Sequence, residues 1–249
     1  ESLRGYLRIP EWVLRFIFVW TRYFLRSTAR AVMARCIRAT ADDLRAPSGR
    51  TRVLMHACIG DSYFGHDGKA RDRYYGVLPD YLRRQGADVV VIPWLFQVEK
   101  PYLGALRWFA KSETRYLILE EILTLADFFW GMKIGIRQGR MPRTCPPLEG
   151  LDISPLVSGA RRSQLVDTGN IRFVLYHKLI EKLSVQDIRI DTFIDTFENL
   201  AAKKASIIGL RRYYPSAKTI GFQHIISVPP MFLSMQTCET EMSVLRYLT

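Results

Sequence analysis

Four short apolar runs constrain this chain more than any other feature: residues 51–57 (TRVLMHA), 87–94 (ADVVVIPW), 192–197 (TFIDTF) and 218–222 (KTIGF). They have strand length rather than helix length, and the first two are apolar and rich in β-branched residues. A helical stretch at about 75–85, closed by Gly86 as a C-cap, separates the first pair, and another at 200–214 separates the second. Strands joined through helices need crossovers, and crossovers make the strands parallel. The expected fold class is therefore α/β, a Rossmann-like parallel sheet flanked by helices.

In such a sheet ligands sit in the crevice outside the carboxyl ends of the strands, so polar residues just past an apolar run are the first site candidates. Glu198 and Asn199 follow the third run, and Gln223 and His224 follow the fourth. Glu198 suits a general base or a partner for a sugar hydroxyl. His224 titrates near neutrality and could accept a proton or orient a hydroxyl; a buried, backbone-bonded histidine is the structural alternative. Asn199 serves equally as a helix N-cap. The long loop after the first run, CIGDSYFGHDGKARDRYYG, carries Asp61, His66, Asp67, Lys69, Arg71 and Arg73 as substrate-binding candidates, against the alternative of a solvated loop. Its glycines at 60, 65 and 68 do not spell the GxGxxG of a dinucleotide site. His56 and His177 fall within a strand and a helix and read as structural.

Between the two strand pairs, residues of about 101–185 show helical spacing and read as a helical insertion, with a Pro-, Gly- and Arg-rich excursion at 138–169. Ahead of everything, residues 1–46 form a basic segment. Lys and Arg exceed Asp and Glu by 36 to 24, a net charge of +12, and the excess is dense at the front. Such a balance favours nucleic acid, anionic lipid or phosphorylated ligands. The segment's longest uncharged apolar run is only five residues, 16–20, far short of the ~20 needed to span a bilayer. Arginines at helical spacing beside aromatic residues instead match an interfacial amphipathic helix, with Trp12, Arg15, Phe16, Trp20, Arg22 and Arg26 as membrane contacts. The alternative is a helix packed on the domain with its arginines in water.

Several chemistries lack their motifs. Four cysteines without CxxC spacing and four scattered histidines suggest no metal site and no disulfide framework, and a reducing cytoplasmic setting is expected. HExxH, DxD, GxSxG, P-loop and kinase signatures are missing. Nucleic-acid binding rests on charge alone and is not expected.

The loop-and-helix stretch SYFGHDGKARDRYYGVLPDYLRRQGADVVVIPWL, together with TFENLAAKKASIIGLRRYYPSAKTIGFQHIISVPP, resembles the amino-terminal half of bacterial GT-B-type glycosyltransferases of surface-polysaccharide biosynthesis, such as capsule or O-antigen. The resemblance covers about a third of the chain. It implies a Rossmann-like acceptor domain at 47–235, a sugar or lipid-linked glycan acceptor, catalytic roles for Glu198 and His224, and a nucleotide-sugar donor held by a second domain, in cis or in trans. It implies no other cofactor. The tail at 236–249 is too short to be that second domain, and a peripheral position at the inner face of the cytoplasmic membrane would suit the basic front segment. The rival expectation is a membrane-surface binding or scaffold protein with an inert α/β core. The acceptor reading predicts a basic cleft formed by the chain ends after residues 57, 197 and 222.

Overall fold

The computed structural model describes residues 11–37, 44, 49–65, 72, 74–95, 98–99, 101–139, 150–155, 157–158, 168–196 and 201–222. Five strands, β1 (Arg52–Ile59), β2 (Asp88–Leu95), β3 (Arg115–Tyr116), β4 (Thr192–Thr196) and β5 (Lys218–Phe222), pair in parallel in the order β3-β2-β1-β4-β5. The helices are α1 (Glu11–Ile37), α2 (Leu78–Arg84), α3 (Tyr102–Lys111), α4 (Leu119–Ile122), α5 (Leu125–Gly139), α6 (Gly169–Val185) and α7 (Ala201–Tyr213). The α/β class and the strand-helix alternation read from the sequence are both present.

β1 and β2 are buried almost end to end, which is why their sequences run apolar without alternation: a central parallel strand is covered on both faces. Their alternate side chains feed two separate cores. Leu54, Val90, Ile92 and Phe193 point to one, with Phe128 of α5, Leu179 of α6 and Leu210 of α7. Val53, Met55, Val91 and Ile194 point to the other, with Ala105, Leu106 and Phe109 of α3. The chain winds outward from β1 through β2 to β3 on one side and through β4 to β5 on the other. The reversal of direction between β1 and β4 marks the switch point where α/β sheets open a crevice.

Local chemistry sets the helix ends. α2 stops at Gly86, which takes φ +84°, donates to the Arg83 carbonyl at 2.9 Å and lets Ala87 donate to the Leu82 carbonyl at 3.0 Å. Only glycine enters that left-handed conformation without a Cβ penalty, so the expected C-cap is realised. α5 and α6 approach closely at Gly131 and Gly135. A Cβ on Gly135 would stand 3.0 Å from the Trp20 ring and 3.2 Å from Ile171.

One expectation changes shape. The stretch read as a helical insertion contributes a strand: β3 pairs with β2 through Val90↔Arg115 and Val91↔Tyr116, so the segment belongs to the sheet. Its α6 covers one face of that sheet, with Ile171, Leu175, Leu179 and Leu183 in the core. A two-residue strand carries no periodicity to read, and the helices on both sides of it hide it.

An ionic cluster ties the amino ends of the strands together. Asp88 at the start of β2 accepts from Arg52 Nε of β1 at 2.8 Å and from Arg115 of β3, while Arg52 also donates to the Leu44 carbonyl. Arg52 and Asp88 are both buried. The cluster lies on the edge opposite the strand carboxyl ends, so it holds the sheet and not a ligand.

A candidate anion-binding site

α1 packs against α3, α4 and α5 through one face, and a cavity of about 780 Å³ opens beside it over the carboxyl ends of β2 and β3. That size suits a small-molecule ligand. Leu95 at the end of β2 with Val98 and Glu99 after it form one wall, Leu119 and Glu120 after β3 another, and Arg172 with Leu175 of α6 a third. α1 supplies Phe18, Arg22, Tyr23, Arg26 and Arg30; three of these are arginines four residues apart, so one helical turn after another presents a guanidinium to the same space. Four arginines face two carboxylates, Glu99 and Glu120, and the lining carries net positive charge.

Glu120 is the buried centre of the site. Its Oε1 lies 3.8 Å from Arg30 Nη1 and 3.9 Å from Arg172 Nη2, ion-pair separations beyond hydrogen-bond length. The pairs neutralise the carboxylate without consuming the guanidinium N–H groups. Among the described residues, Arg172 Nε has no hydrogen-bond partner. Burial works against the Arg172 charge, but the electrostatics of its surroundings, led by the Glu120 carboxylate, outweigh it and raise its pKa. Arg30 is shifted down, first by burial, with Glu120 opposing and Arg172 and Arg26 assisting. Its guanidinium sits 4.7 Å from the centre of the Tyr102 ring, a cation–π contact that holds it in place. The Tyr102 hydroxyl is buried beside Glu120 without hydrogen-bond geometry, and burial, then Glu120, drives its pKa far above the ordinary tyrosine value. Tyr23 is pushed up to about 12, mainly by burial. Both tyrosines therefore stay protonated at neutral pH and can donate to an anion.

The switch point itself holds a buried polar pair. His56 of β1 and Asp195 of β4 are register partners, with Nδ1 to Oδ2 at 3.4 Å, and the Tyr176 ring of α6 lies 4.7 Å from the imidazole. His56 is thus buried, at its place inside a strand. So is His177, whose ring packs edge-on against Tyr213 at 5.7 Å.

Of the residues singled out from sequence, Asp61 lies at this edge, just past β1. Its two carboxylate oxygens accept from the Glu99 N–H at 3.1 and 3.0 Å, stapling the loop after β1 to the loop that walls the cavity. His66, Asp67, Lys69, Arg71 and Arg73, and likewise Glu198, Asn199, Gln223 and His224, lie outside the described residues. The strands leading to the last four do share an edge: Thr196 and Phe222, which end β4 and β5, are register partners.

The basic cavity lies over β2 and β3 and is walled by α1. The ends of β1, β4 and β5 share one edge of the sheet, and the chain past residues 65, 196 and 222, where the sequence leads one to expect a basic cleft, lies outside the described residues. One sequence expectation is corrected. On α1, Trp20 is only 5 % exposed and sits in the core, so it is not a membrane contact; Phe16 is half-buried against that core. Trp12 lies in the first turn of α1, and Arg15 is exposed. Arg22 and Arg26 are exposed and face the cavity. Sequence reasoning missed Arg30, Glu120, Tyr102 and Arg172. The four-residue spacing of Arg22, Arg26 and Arg30 was the available signal; Glu120 and Arg172 lie about 50 residues apart and meet only through the fold.

Among the described residues no group of His, Cys, Asp and Glu could hold a metal ion, and no helix is long and apolar enough to cross a membrane. Comparison with protein-family models, with curated proteins and with solved structures finds no match.

Proposed function

We propose that this chain is a glycosyltransferase-like domain that binds an anionic, sugar-bearing acceptor, and that the sugar comes from a nucleotide donor held by a second domain. The cavity carries the proposal. It combines four arginines, two protonated tyrosines and an aromatic wall of Phe18 and Phe128 at the carboxyl edge of a parallel sheet. Guanidinium groups match phosphate and carboxylate oxygens two at a time, and aromatic faces suit sugar rings. Glu198 and His224 keep their proposed catalytic roles. β4 lies two strands from β2, roughly 10 Å at ~4.8 Å per strand, a span that an extended glycan could bridge from the cavity. A position at the inner face of a cytoplasmic membrane belongs to the same proposal.

Calorimetric titration of the chain with sugar phosphates, nucleotide sugars and uncharged sugars tests it. Phosphorylated sugars should bind and uncharged ones should not. Arg172→Gln should weaken that binding by about 10- to 100-fold, the ~1.5–3 kcal/mol of a hydrogen bond to a charged group. Equal affinity for charged and uncharged sugars, or no effect of Arg172→Gln, would remove the reading. The rival scaffold reading expects an inert core, and no ligand at all in this titration would favour it.

A further inference from the structure

Docking of α1 against the domain leaves its other face bare. Leu14, Ile17, Phe18, Leu25 and Val32 are 53 to 63 % exposed. They recur at steps of three, four and seven positions, so they form one stripe along a helix about 40 Å long. Arg15, Arg22, Arg26 and Arg35 are exposed beside it. From Trp12 to Ile37 the helix contains no Asp or Glu. The stripe is also distinct from the aromatic face singled out by sequence spacing, since Phe16 and Trp20 are turned inward.

We propose that this outer face of α1 docks on an anionic lipid surface, its apolar stripe at the depth of the upper acyl chains and its arginines among the lipid phosphates. The charge pattern selects this occupant. A narrow stripe whose charged neighbours on the helix are all cations gives a protein partner little apolar area to bury, whereas it lets each guanidinium reach the phosphate level while the stripe enters about 5–10 Å. Each arginine near such a surface adds roughly 1 kcal/mol, and the net charge of +12 adds long-range attraction. The helix lies on the membrane and does not cross it. Phe18, Arg22 and Arg26 also line the cavity, so docking brings the cavity mouth to the lipid phosphates. The docking deepens the membrane position proposed above by naming the surface that makes it, and it does not depend on the sugar-binding cavity.

Vesicle flotation of the full chain, with no sugar or nucleotide present, tests the surface alone. Phosphatidylcholine vesicles containing phosphatidylglycerol should carry the protein up, and pure phosphatidylcholine should not. The double variant Leu14→Glu, Leu25→Glu changes two exposed residues that do not line the cavity. It should lower partitioning on the order of tenfold or more, with an unchanged circular-dichroism melt. Val185→Glu, at an exposed apolar residue on the end of α6, should leave flotation unchanged. The proposal fails if neutral and anionic vesicles bind alike, or if the double variant floats like the parent. It also fails if the lipid-free protein self-associates in sedimentation and the double variant dissolves that association, which would assign the face to a second copy. Sugar-phosphate binding that persists in the double variant would keep the two proposals separate.

Discussion

Gly135 has a role fixed by distance. It sits where α5 meets Trp20 of α1 and Ile171 of α6, and a Cβ there would come within 3.0 and 3.2 Å of them. Trp20 is a rigid ring in the core, so it cannot swing aside. Gly135→Val should cost about 2 kcal/mol in urea unfolding, as overpacking does, despite the better helix propensity of most residues over glycine. His177 makes a second case. It is 1 % exposed, and among the described residues neither ring nitrogen has a hydrogen bond. Burial lowers its pKa below 6.5, with Arg212 and Lys178 assisting and Glu181 opposing. The unfolded chain therefore takes up a proton more readily than the folded one as pH drops below about 6.5, and stability is lost from that point down through the folded value. His177→Phe should flatten that part of the stability-versus-pH curve measured by thermal melting. An unchanged slope would mean that another group dominates. The sequence places His177 within a helix but shows neither its burial nor the close approach at Gly135, one of 16 glycines.

Among the elements, the strands behave differently from the helix that precedes them. β1, β2, β4 and β5 lie within a residue or two of the runs read from sequence; for β1 and β2 the reason is that a strand covered on both faces must be apolar throughout, whereas β5 is an exposed edge strand. What joins their amino ends is polar. Asp88 is buried between Arg52 and Arg115, and removing it leaves Arg52 buried without its carboxylate. Asp88→Ala should lower stability by about 3–5 kcal/mol in chemical denaturation. The double variant Arg52→Met, Asp88→Leu should be markedly milder, since an apolar pair of similar volume leaves no charge stranded. Equal losses for the single and double variants would show that lost packing, rather than an unpaired charge, sets the cost. α1 is the opposite case. Its residues are apolar on both sides with arginines between, so spacing alone marks it as a helix without saying which apolar side meets the protein. Trp20 went to the core with Phe16 and Tyr23 packed against it, and Leu14, Ile17, Phe18, Leu25 and Val32 stayed outside.

For the whole molecule, a net charge of +12 becomes specific only through placement. Arg22, Arg26 and Arg30 belong to the first helix, Glu120 follows the third strand and Arg172 lies on α6, yet all five line one cavity. The expectation of a ligand at the carboxyl edge follows from strand-helix alternation, because parallel strands put all their carboxyl ends on one side. The position along that edge does not follow. The strand ends after residues 59, 196 and 222 share it, but α1 walls off the part above β2 and β3, and the arginines collect there.

By itself the sequence determined the class of fold, four of the five strands, the glycine that ends α2, and a basic helix too charged to cross a bilayer. These depend on neighbours in the chain: apolar runs, periodicity and backbone preference. Only the tertiary structure decided that residues of about 101–185 supply a strand to the sheet, that Asp88 bridges three strands, which side of α1 faces water, and that Glu120 lies between Arg30 and Arg172. These depend on residues tens of positions apart being brought within a few ångströms by crossovers and helix packing, and no local pattern encodes such a distance.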